Sequence, residues 1–252
     1  MAILGNNKSM LTIIKRMLHT SVSLLNLSTA VWALYLPYSV PEKYLHHELM
    51  VHMWPLRWYF LSLWVGAFQF IYFGIYSAID VVEIYGKRSV YHKILDYLHN
   101  IGSYLLFTLV FPLSLLTSIL FWFFYLWDRE IIYPTECDDF IPPFFNHVLH
   151  TTPVPLTIIY MLLSNKNEPS ISLTLPGLTA FLSIYAYFFF NIRLTQGVWV
   201  YVVLHKITEE QLHYLLSFAV IAPFVFFFLG YKLNSLKRVL YKHGATFALS
   251  SN

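Results

Sequence analysis

The stretch IGSYLLFTLVFPLSLLTSILFWFFYL, residues 101–126, contains no charged side chain. A helix rising about 1.5 Å per residue over that length exceeds the roughly 30 Å of a bilayer's hydrocarbon core. It reads as a membrane span, and the rest of the chain is written the same way. Of 252 residues, 58% are hydrophobic and 19% aromatic, while 12% are charged; a soluble domain carries about 25% charge. Charge that sparse, spread between several long apolar runs, indicates one polytopic membrane domain over residues 1–252.

Six spans are expected, at about 17–36, 58–79, 101–126, 147–163, 171–190 and 212–231. Their all-round apolarity predicts an all-α fold, a six-helix transmembrane bundle; the alternating ten-residue pattern of an outer-membrane barrel is absent. The fourth span is short, starts polar and carries Pro153 and Pro155. A kinked or partly re-entrant segment buried among the other helices tolerates those features. The first follows Lys8, Lys15 and Arg16, so a cleaved signal peptide is its alternative. Its apolar run is too long for a usual signal core, and Trp32, Tyr35 and Tyr38 suit an interfacial belt, so it is read as a retained helix. In this layout eleven Lys and Arg fall on one side and five on the other. The richer side is expected to be cytoplasmic, and it holds both termini.

Several classes drop out. A single cysteine, Cys137, makes no internal disulfide framework and no cysteine-based metal site. The net charge of +3 is small and the 16 Lys and Arg are scattered, so nucleic acid is not an expected partner.

Polar groups are costly in lipid, which draws attention to FFNHVLHTTP, residues 144–153. His147 and His150, three apart, share a helix face. Three readings stand. A metal or haem pair needs more ligands: two histidines are too few, no Glu completes a di-iron helix pattern, and of His19, His99, His205 and His213 only His19 lies clearly within a span. That lone residue is as well explained by a bond to a neighbouring helix. No metal or cofactor is therefore expected. The second reading is a polar helix entrance hydrated at the interface. The third is acid–base catalysis, with a neutral imidazole taking a proton from a hydroxyl nucleophile.

Depth narrows the choice of hydroxyl. The outer ends of the second and fourth spans lie on the same side. Ser62, in RWYFLSLWVGAFQF, is four residues past Trp58, and His150 is four past Asn146, each about 6 Å deeper than its reference residue. Equal depth permits contact without establishing it. A lone serine in a span ordinarily bonds its own helix carbonyl one turn back. Thr151 and Thr152 are rivals, but adjacent to His150 in sequence they point around the helix.

FLS at 60–62, Q-x-x-x-FG at 69–74, FP at 111–112, YLWDREIIYP at 125–134, FIPPFFNHVLHTT at 140–152 and GVWVY at 197–201 together resemble the androgen-induced protein family, from about Trp58 to Leu233. The resemblance implies an integral-membrane hydrolase of fatty acid esters of hydroxy fatty acids, with a threonine nucleophile and a histidine partner. Carried onto this sequence, those positions are Ser62 and His150. Ser62 stands where the family has threonine. It keeps the Oγ and loses the methyl that stiffens χ1. Tyr231 stands where an acidic residue is expected, and nothing in the sequence explains that change.

On this reading Asn146 and His147 are candidates for meeting the oxyanion or orienting His150. Asp128, Arg129 and Glu130 form a structural cluster at the outer end of the third helix, or lend a carboxylate to the imidazole. The expected partner is a lipid ester entering sideways from the bilayer, and the location an integral membrane protein of the endomembrane system or plasma membrane; protein partners are left open. The contrasting class is a catalytically weak or inactive membrane protein that binds lipid or regulates a partner. A transporter is disfavoured, because the intramembrane polar residues lie near one face rather than at mid-membrane.

Overall fold

The computed structural model describes residues 2–46, 51, 55–85, 88–163 and 168–250. Among them the regular structure is helical: α1 Ala2–Ser39, α2 Leu61–Tyr85, α3 Arg88–Leu105, α4 Phe111–Trp127, α5 Pro143–His150, α6 Pro153–Leu163, α7 Ile171–Gln196, α8 Val203–Lys206 and α9 Glu209–Ser250. Four stretches are long and apolar enough to cross a membrane, Leu61–Tyr85, Val90–Trp127, Ile171–Gln196 and Glu209–Leu240. They correspond to the second, third, fifth and sixth expected spans. The expected span 17–36 falls inside α1, and 147–163 is divided between α5 and α6.

The division has a local cause. Pro153 has no N–H to continue the helix and turns the residue before it away from helical geometry. The N–H groups of Thr151 and Thr152 both turn back to the His147 carbonyl, at 2.8 and 2.9 Å. Beyond the break, the 11 residues of α6 rise only about 16 Å. A second proline acts differently. Pro112, at the start of α4, has no N–H for the Thr108 carbonyl four residues back. The backbone stays helical by widening into a π turn over Leu106–Val110, which joins α3 to α4.

This α3–α4 rod is the centre of the bundle: 67% of its apolar stretch lies inside the protein, against 17% for α7 and for α9. On α2, Leu61, Val65, Gln69, Tyr72, Phe73, Tyr76 and Ile79 are buried, a spacing of three and four that faces one side to the core. Its aromatic part meets Tyr160 and Met161 of α6; farther along, Val65 meets Leu113, Leu178 and Phe227 from α4, α7 and α9. α1 lies along α2. There His19 does bond a neighbouring helix, with Nδ1 2.6 Å from Asp80 Oδ2 and Arg16 flanking Asp80 and Glu83 at 3.8 and 3.6 Å. Glycine permits close approach of α7 and of α9 to the rod. A Cβ on Gly177 would overlap the Tyr104 hydroxyl and come within 3.0 Å of Thr108 Cγ2 in the π turn. A Cβ on Gly230 would come within 2.9 Å of Phe111 Cδ1.

Candidate functional site

Ser62 is the second residue of α2, entered through a 3₁₀ turn at Arg57–Tyr59. A helix start leaves N–H groups without intrahelical partners. Here the Leu61 N–H donates to Tyr201 Oη at 2.8 Å. Those of Leu63 and Trp64 donate to the Phe60 carbonyl at 3.0 and 3.4 Å. The Ser62 N–H reaches no described partner. Its hydroxyl is equally unengaged among the described residues, although Ser77, Thr117 and Thr179 each bond the carbonyl four residues back at 2.9 Å. The difference is local. Phe60, just before α2, is extended (φ −72°, ψ 122°), so Ser62, second in the helix, has no helical carbonyl one turn back, and the Trp58 carbonyl accepts the Trp64 indole N–H at 2.8 Å.

His150 closes α5. Its ring lies flat on Phe121, with centroids 3.8 Å apart and planes 7° from parallel. Its backbone carbonyl accepts the Trp122 indole N–H at 3.2 Å. Nδ1 is enclosed without a hydrogen-bond partner. Nε2 is not enclosed and bonds no described residue, so it is the ring nitrogen open to a neighbouring group.

Ser62, Asn146 and His150 line one cavity of about 540 Å³, within the range of small-molecule sites. Its walls are mainly apolar and come from α1, α2, α4, α5, α7 and α9 and the loops beside them; among the described lining residues Arg57 is the one charged side chain. Cys137 also borders it. Burial first, then the Asp138 and Glu136 carboxylates, pushes that thiol up to about 12, which keeps it protonated at neutral pH.

The other expected residues lie outside the lining. His147 is exposed, with Nδ1 2.9 Å from Thr151 Oγ1 and its ring stacked on Trp122 at 5.7 Å. Thr152 bonds the Val148 carbonyl at 3.1 Å. Asp128 caps a short turn by accepting the Glu130 N–H at 3.0 Å, and Glu130 accepts the Thr135 N–H at 3.3 Å. Arg129 bonds the Tyr133 carbonyl at 3.0 Å and Asp138 at 2.5 Å. These groups fold the loop after α4, and no carboxylate among them holds the His150 ring. Among the described residues no group of three or more His, Cys, Asp or Glu is disposed to hold a metal ion.

Three polar residues near the site were not singled out by sequence. Tyr185 of α7 and Tyr201 of the loop after it line the cavity and bond the start of α2. Gln69, 1% exposed, sits one face below, with Nε2 3.2 Å from the Pro153 carbonyl and 3.4 Å from Ser114 Oγ, tying α2 to α4 and to the α5–α6 break. The motifs GVWVY and Q-x-x-x-FG contained Tyr201 and Gln69; Tyr185 carried no local signal.

The family described as FAR-17a/AIG1-like protein matches residues 21–235. The androgen-dependent TFPI-regulating protein of Mus musculus is 28% identical over 207 residues, 82% of this chain and 88% of its own length. The human protein of that name is 30% identical over 185 residues, 72% of this chain and 77% of its own. The human androgen-induced gene 1 protein is 32% identical over 153 residues, 60% of this chain and 64% of its own. No solved structure matches the chain.

Proposed function

The chain belongs to the FAR-17a/AIG1-like protein family, and from that premise we propose that it is a membrane-embedded hydrolase of lipid esters, with Ser62 as nucleophile and His150 as its base. The observation that carries this reading is that an unengaged serine hydroxyl and an imidazole with an open Nε2 line the same apolar cavity. Ser62 Oγ attacks the ester carbonyl as His150 takes its proton. The proton then passes to the departing alkoxide, leaving an acyl ester on Ser62, and water repeats the two steps to release the acid. The oxyanion is met by the Ser62 N–H and by Asn146. Fatty acid esters of hydroxy fatty acids are the substrate class that the family resemblance implies.

The ester enters from the bilayer between α7 and α9. These two helices both wall the cavity, and away from the bond between Thr174 Oγ1 and Tyr231 Oη, 2.6 Å apart, their backbones rarely approach each other closely. Ser183, Ala186 and Phe190 of α7 border both this cavity and a second hollow of about 260 Å³, so the space continues past the helix. The membrane layout that goes with this reading is six spans with both termini cytoplasmic, in the endomembrane system or plasma membrane.

The contrasting reading is a non-catalytic membrane protein that binds lipid or regulates a partner. It draws on the serine in place of the family threonine and on the absence of a described carboxylate behind His150. Labelling with a fluorophosphonate probe in membranes or detergent separates the two. The hydrolase reading expects labelling of wild type and of Thr151→Ala, and none of Ser62→Ala or His150→Ala. A well-folded wild type that takes no label sinks it.

A further inference from the structure

Two phenols meet at the start of the helix that carries Ser62. After Gly197 ends α7 with φ +73°, the chain runs back into the protein through Val200, 1% exposed. This brings the Tyr201 ring onto Phe60, with centroids 5.5 Å apart and planes at 19°. Tyr201 Oη receives the Leu61 N–H at 2.8 Å and lies 3.0 Å from Tyr185 Oη, which itself lies 3.0 Å from the Tyr59 carbonyl.

The direction of this chain is forced. The Tyr59 carbonyl only accepts, so the one hydrogen of Tyr185 goes to it. The hydrogen shared between the phenols must then come from Tyr201, whose oxygen is left to accept from Leu61. The circuit runs Leu61 N–H to Tyr201 O–H to Tyr185 O–H to Tyr59 C=O and closes around Phe60. It ties the residues on either side of Phe60, immediately ahead of Ser62, to α7 and to the loop after that helix. It also takes up the first orphan N–H of α2, so that the neighbouring Ser62 N–H is the donor left over. In an apolar surrounding each bond of such a circuit strengthens the next.

We propose that Tyr201, with Tyr185 behind it, is the positioning residue of the nucleophile: the circuit fixes the backbone from which Ser62 attacks. The inference rests on the hydrolase reading and adds a role for two residues that touch Ser62 only through its chain neighbours.

The test is the rate of fluorophosphonate labelling, resolved into probe affinity and maximal rate. Tyr201→Phe keeps the ring on Phe60 and removes the hydroxyl that both accepts and donates. The expected result is a maximal rate lower by about five- to ten-fold, with probe affinity unchanged. Tyr185→Phe leaves Tyr201 able to accept from Leu61 and is expected to lose less. Phenols that merely hold the helix would change yield or melting temperature while the folded fraction labels at the wild-type maximal rate, and that outcome overturns the inference while leaving the hydrolase reading intact. If Tyr201→Phe does not fold, Tyr185→Phe decides alone: an unchanged maximal rate refutes the circuit's role, a partial loss supports it. Wild type that never labels, or labels equally as Ser62→Ala, removes both readings.

Discussion

Ser62 keeps its hydroxyl because it stands second in α2, behind an extended Phe60, where no carbonyl lies one helical turn back. That freedom is testable. Ser62→Thr keeps the Oγ, adds the methyl that stiffens χ1 and still meets no carbonyl one turn back. Fluorophosphonate labelling is then expected to persist at no less than the wild-type rate; loss of labelling in folded Ser62→Thr would show that the hydroxyl at this position is not the nucleophile. The depth argument from sequence allowed Ser62 and His150, the family resemblance picked the same pair, and both residues border one cavity. The same argument had no means of excluding His147, whose ring turns to Trp122 instead. Nor could it find that α2 begins only at Leu61, which leaves Ser62 without a helical carbonyl one turn back. The roles of Tyr185 and Tyr201 were invisible for a different reason: the groups they bond lie 126 and 140 residues away in sequence.

At the level of elements, apolar runs and prolines were sufficient guides. HTTP at 150–153 marks the break between α5 and α6, and the four helices long and apolar enough to span coincide with expected segments. The π turn was not foreseen, since a proline inside the expected span 101–126 disturbs the helix without saying which form the backbone takes; it matters because α3 continues into α4 without a gap. α9 settles on this rod through Gly230, opposite the buried ring of Phe111. Gly230→Ala gains about 1 kcal/mol of helix propensity but drives a methyl against a ring that is 2% exposed and has no room to swing. Overpacking of that kind costs about 1–3 kcal/mol. A lower melting temperature in detergent is expected, with the labelling site intact; a higher one would mean that α9 shifts outward freely.

On the scale of the whole molecule, the charge bias predicts more than helix count. Glycosylation sequons appended to either terminus should stay unmodified, while one inserted beside the exposed Thr135, in the loop between α4 and α5, should be glycosylated. A glycosylated terminus would remove the six-span layout and with it the common depth of Ser62 and His150. The arrangement of α7 and α9 has its own consequence. On the hydrolase reading, two helices that wall one chamber while their backbones seldom approach closely leave hydrocarbon as part of its lining. On that reading the enzyme's two reactants come from two phases, the ester from lipid and the water from solvent. The first half of its cycle is therefore carried out in an oil-like solvent, and the second half waits on hydration.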